Sequence, residues 1–169
     1  SDSQIKDAAG QKRADKISQT VEDLKTLYPL SMIVNAGDAV QHGGKEEDWL
    51  NYFNTSKVYL HNTYMVTAVG NHEYYDSPMY EKAPPQFRKY LRDDNSPELG
   101  NAAVDLGKLT VIILNSNFDF MNEATYKDQW DWFISKLEEN QKKNKPVIVS
   151  INHSPYSSSM EWVREKKKK

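Results

Sequence analysis

Ile17, Val21, Leu24 and Leu27 recur at helical spacing among Lys, Asp, Glu and Gln, which predicts an amphipathic helix over about residues 11–28. Pro29 closes it. Ser31–Ala36 is a short apolar run suited to a strand covered on both faces, and it stops at Gly37-Asp38. Trp49, Leu50, Phe53 and Tyr59 mark a second helix or two short ones. Tyr64–Val69 repeats the strand pattern and halts at Gly70-Asn71-His72-Glu73.

Residues 74–100, rich in Tyr, Pro, Asp and Asn, read as a long surface excursion with a helical piece near Gln86–Leu91. Ala102–Leu106 and Leu109–Leu114 are extended runs joined by Gly107-Lys108, a pair that suits a type II′ hairpin. Thr125 followed by Asp128 resembles a capping box. Trp130, Phe133, Ile134 and Leu137 then supply the apolar stripe of a helix to about Lys142. Pro146–Ile151 is a further strand, ending in Asn152-His153-Ser154-Pro155. Met160–Lys169 suits a last helix, closed by Lys166-Lys167-Lys168-Lys169. Strands alternating with helices, plus one hairpin, predict an α/β layered fold, with a mixed β-sheet or two packed sheets flanked by helices. No repeat or linker divides the chain, so residues 1–169 are expected to form a single domain.

Composition narrows the chemistry more than the fold. Of 169 residues, 38% are apolar and 11% aromatic, enough for a real core. The 22 Lys and Arg nearly cancel the 24 Asp and Glu, so no global field points to nucleic acid or an anionic membrane. No apolar run is long enough for a membrane-spanning helix. Without Cys, any metal must be held by oxygen and imidazole.

Three of the predicted strands end in such donors: Asp38, Asn71 with His72, and His153. Ligands gather outside the carboxyl ends of strands in α/β sheets, where the loops meet. Singly, each residue has a plainer reading. Asp38 suits a turn or a helix cap, Gly70-Asn71 a turn, and His153 a satisfied strand-end histidine. Together they suit manganese, iron or zinc better than magnesium or calcium.

The ordered set Gly37-Asp38, Gly70-Asn71-His72-Glu73 and His153, each after a predicted buried strand, resembles the successive motifs of the calcineurin-like metallophosphoesterases, a superfamily that includes the purple acid phosphatases. The resemblance covers nearly the whole chain. It implies that Asp38 bridges two metal ions, that Asn71 and His153 ligate the second, and that His72 faces the phosphate as hydrogen-bond donor or general acid. It implies that Asp2, in Asp2-Ser3-Gln4, ligates the first ion, with Gln4 standing where His is usual. Gln41 occupies the place of a metal-binding Tyr in purple acid phosphatases. On the same comparison the fold is incomplete, lacking its first strand ahead of Asp2 and a final Gly-His-x-His segment, so weak metal binding and weak or absent activity are expected.

The implied activity is hydrolysis of a phosphate ester, either a small molecule or a phosphorylated macromolecule, with an exported bacterial setting as the expected location. The alternatives are a noncatalytic module that holds a protein or glycan with the loop over Tyr74–Pro97, and a single-metal site. Tyr74, Tyr75 and Tyr80 are candidates for a substrate mouth. Glu73 is expected to stand behind the ligands or on the surface, and His42 and His61 fit no motif.

Overall fold

The computed structural model describes residues 8–77, 82–91 and 99–156. Asp2, Gln4, Tyr80 and the segment Met160–Lys169 lie outside the described residues. Helix α1 spans Ala8–Leu27, strand β1 Met32–Asn35, helix α2 Glu46–Leu60 and strand β2 Tyr64–Thr67. A 3₁₀ turn, His72–Tyr74, and the short helix α3, Pro85–Leu91, precede the hairpin of β3, Ala102–Asp105, and β4, Thr110–Ile113. Helix α4, Glu123–Lys142, then leads to β5, Val147–Ser150.

The predicted alternation becomes two small sheets. β1 and β2 pair in parallel through the α2 crossover, with Val34 opposite Val66. In the second sheet the order is β3-β4-β5: β3 and β4 are antiparallel, and α4 carries the chain over to β5 parallel to β4. The sheets meet through Val66 and Ala68 on one side and Val111 and Ile113 on the other, with Met32, Ala102, Val104 and Leu109 packed around them. A second core lies beyond the strand ends. It holds Ala39, Val40, Trp49, Tyr52, Val69, Tyr74, Ala83 and Phe87. Trp49 is its centre, completely buried, its ring against Phe53, Phe87 and Tyr90 and its Nε1 donating to Gly43 O at 2.9 Å. Large aromatics packed this way dominate burial energetics and lock the loops that carry them.

Several expected faces turn out differently. Ile17, Leu24 and Leu27 of α1 are exposed, and the helix buries Ala14 and Ser18, with Ser18 Oγ donating to Thr55 O of α2. Small residues win that contact because they let two helices approach closely. In α4, Trp130 and Ile134 are exposed while Gln129 and Asn140 are buried, since each amide has a tertiary partner: Gln129 exchanges two hydrogen bonds with the Asn115 backbone, and Asn140 accepts from Thr110 Oγ1 at 2.6 Å. Asn122 caps α4, its side chain accepting from Thr125 N at 2.8 Å, three residues ahead of the expected Thr125 cap. Val34 of β1 and Ile148 and Val149 of β5 are exposed rather than covered on both faces, and Leu50 points out of α2, a single helix. At the β3–β4 connection Lys108 N donates to Leu106 O at 2.9 Å, a γ-turn about Gly107 at φ +77°.

Candidate metal centre

The loops after β1, β2, β4 and β5 converge. After β1 the chain turns sharply: Gly37 N donates to Asn35 Oδ1, and both Gly37 (φ +95°) and Asp38 (φ +53°) take left-handed conformations. For Asp38 this costs about 1 kcal/mol or more, so other contacts must hold it there. A Cβ on Gly37 would stand 2.8 Å from Gly70 N, 3.0 Å from Asn152 Nδ2 and 3.1 Å from Ala68 O, which marks how tightly three of the loops meet. Asn152 Nδ2 donates to Ala36 O at 3.0 Å, tying the β5 loop to the β1 loop.

Glu73 does the holding. It is fully buried, and its two oxygens accept four backbone N–H groups: Oε2 from Asp38 at 2.9 Å and Gly70 at 2.7 Å, Oε1 from Ala39 at 2.7 Å and Val40 at 3.3 Å. Burial first, and the neighbouring Asp38 carboxylate second, push the Glu73 carboxyl up to about 7, against the pull of the backbone donors. The sequence placed Glu73 behind the ligands or on the surface; the structure excludes the surface. Its signal was the Glu itself, directly after the Asn-His pair, but only a buried position gives that residue its partners.

Asp38 is buried, and its Oδ1 accepts from His72 N at 3.1 Å. His72 Nδ1 lies 3.0 Å from Gln41 O. A carbonyl can only accept, so Nδ1 carries the proton, and donation from Nε2 requires the doubly protonated ring. The Tyr75 ring packs at a tilt of 55° against His72 with centroids 4.5 Å apart, and its hydroxyl accepts from Asn71 Nδ2 at 3.2 Å. Tyr75 thus fixes the Asn71 amide with Nδ2 engaged, and Oδ1 is the atom left to act as a donor to a cation. Tyr74 is not at a substrate mouth. It is buried beneath the loops, its hydroxyl accepting from Asn115 Nδ2 at 2.8 Å.

His153 stands on the β5 loop, and Ser116 of the β4 loop engages it twice: Ser116 Oγ accepts from His153 N at 3.0 Å and lies 2.9 Å from Nδ1. When the ring donates from Nδ1 to Ser116, Nε2 presents its lone pair, the tautomer a metal-binding histidine uses. Ser116 is in turn set by its neighbours. Asn115 Oδ1 accepts from Asn117 N and Nδ2, and Asn117 Nδ2 also donates to Val69 O at 3.1 Å, joining the β4 loop to the β2 loop. His42 is occupied elsewhere, with Nδ1 3.1 Å from Asp48 Oδ2, and His61 is exposed beside Asn62.

The donors suit a metal by chemistry: a carboxylate from Asp38, a carboxamide oxygen from Asn71 and an imidazole nitrogen from His153. Among the described residues no three His, Asp or Glu side chains stand close enough to hold an ion by themselves. Asp2 lies outside those residues. The side-chain Oε1 of Gln41 is buried without a hydrogen-bond partner among the described residues.

The family model for calcineurin-like phosphoesterases matches residues 1–168. The chain belongs to that family, whose members act on phosphate esters and typically bind divalent metals. No curated protein matches the chain. Among the described residues no helix is long and apolar enough to cross a membrane.

Proposed function

We propose that the protein hydrolyses a phosphate ester at a dinuclear metal centre. Asp38 would be the carboxylate shared by two ions, Asn71 and His153 would hold one of them, and Asp2 would hold the other. When bound, two such ions supply a nucleophilic hydroxide near neutral pH and neutralise phosphoryl oxygens. The chain's own residues do the rest. His72, as imidazolium, presents Nε2–H to the leaving oxygen or to the phosphoryl group, while Gln41 O holds Nδ1–H and the tilted Tyr75 ring packs against the imidazole. Asp38, buried and gripped in a left-handed turn, keeps its carboxylate where the His72 backbone N–H meets it.

The observation that supports this reading is the contact network in which Asp38 Oδ1 accepts from His72 N and His72 Nδ1 meets the Gln41 carbonyl, since these are the two residues to which the resemblance gives the bridging and phosphate-facing roles. The full-length protein, loaded with Mn²⁺, Fe²⁺ or Zn²⁺, should hydrolyse p-nitrophenyl phosphate or its bis ester. His72→Ala should lower kcat about 100-fold or more, the usual contribution of a positioned acid. Absence of turnover on both esters, together with Mn²⁺ binding indifferent to Asp38→Asn, would sink the proposal.

A further inference from the structure

We propose that Glu73 is a positioning residue for the metal-bridging carboxylate, a bidentate clamp that sets where Asp38 stands relative to the Gly70-Asn71-His72 turn. The inference rests on the metal reading of Asp38 above. One carboxylate spans both loops. Oε2 takes Asp38 N and Gly70 N, residues on opposite sides of the β1–β2 seam, and Oε1 takes Ala39 N and Val40 N just beyond Asp38. The same short segment that supplies Asn71 and His72 therefore fixes, through Glu73, the backbone of Asp38.

Two features separate positioning from mere filling of space. Asp38 is in a left-handed conformation that a non-glycine residue adopts at a cost, and two of the four clamp bonds are to Asp38 itself and to the residue after it. Moreover, all four partners are donors, so both Glu73 oxygens must accept. A Gln of the same size offers one oxygen and one NH₂, and whichever way it turns, the NH₂ faces N–H groups. Size is conserved and function is not.

The test uses the full chain, its Glu73→Gln variant, and Mn²⁺ followed by electron paramagnetic resonance, beside amide hydrogen exchange in the absence of metal. In Glu73→Gln, protection of the Asp38, Ala39 and Gly70 amides should fall at least about tenfold while the Val111 and Ile113 amides of β4 keep theirs. Mn²⁺ affinity should fall by about tenfold or more, the usual effect of losing a group that orients a ligand. Glu73→Asp keeps both acceptors, drawn back by one methylene, and should recover part of each loss.

Unchanged exchange at Asp38 and Gly70, or Mn²⁺ affinity equal to that of the unaltered chain, would overturn the proposal. So would protection lost evenly over β4 in both variants, since Glu73 would then serve the fold at large. If the unaltered chain bound no Mn²⁺ while its Asp38 and Gly70 amides were protected, the metal reading itself would fail, and the positioning role with it.

Discussion

Gly70→Ala puts the contact between the β1 and β2 loops to a direct test. The backbone φ of Gly70 lies outside the left-handed region, so an alanine there suffers no conformational penalty of that kind and would gain about 0.4–1 kcal/mol by restricting the unfolded chain. Sterics oppose it. The new methyl would lie 2.1 Å from Asp38 Oδ1, 2.5 Å from Asp38 N and 2.8 Å from Glu73 Oε2, against about 3.5 Å for a comfortable contact. Asp38 must therefore withdraw by about 1 Å or more and Glu73 by about 0.7 Å, enough to stretch and weaken hydrogen bonds that now measure 2.7 and 2.9 Å. Overpacking of a tight interior costs about 1–3 kcal/mol, and a buried charged acceptor losing its donors about 1.5–3 kcal/mol. The clash wins, with a net destabilisation of about 3 kcal/mol, or a fall in Tm of roughly 6–12 °C for a chain of this size. Urea unfolding followed by circular dichroism measures it, provided m is unchanged. A Gly70→Ala protein melting within about 2 °C of the parent would refute the account of the seam.

Three further outcomes follow from other contacts. Ser116→Ala should cost only about 1 kcal/mol of stability, since it removes partners of a half-buried His153, but should weaken Mn²⁺ binding about tenfold; equal affinity by calorimetry would remove Ser116 from the site. Trp49→Phe should destabilise by about 2 kcal/mol in urea unfolding, because it vacates volume in the loop core and leaves Gly43 O without its donor; a loss under about 0.5 kcal/mol would contradict that. Burial pushes the Tyr74 phenol up to about 12 and raises Tyr52 as well. A folded-state value above the unfolded one means that stability is complete below about pH 10 and is lost as pH climbs from there through about 12. Tyr74→Phe should therefore flatten the fall of the urea midpoint across that window, and an unaltered slope would show that the phenol is not protected by the fold.

Much of the scaffold was legible because it depends on local pattern. Local pattern located the four α-helices and five strands among the described residues to within a few residues, though neither 3₁₀ turn, and the hairpin was marked by Gly107-Lys108. The candidate donors were legible for the same reason: Gly37-Asp38, Gly70-Asn71-His72-Glu73 and Asn152-His153 are contiguous stretches, each directly after a strand. Asp2 and Gln4 fall outside the described residues, so that end of the site rests on the resemblance alone.

What the sequence by itself determined about this protein is where its strands stop and which chemical donors stand at those stops, since both are properties of neighbouring residues. Tertiary structure alone decided which face of each helix is buried and what holds the donors in place. Glu73 meets Asp38 across 35 residues, Asn117 meets Val69 across 48, and Tyr74 meets Asn115 across 41. Such partners have no periodicity to betray them. A buried Gln129 or Asn140 looks like a solvated position until the strand loop that satisfies it is brought alongside, and an apolar Trp130 looks like core until those amides claim the inner face of the helix.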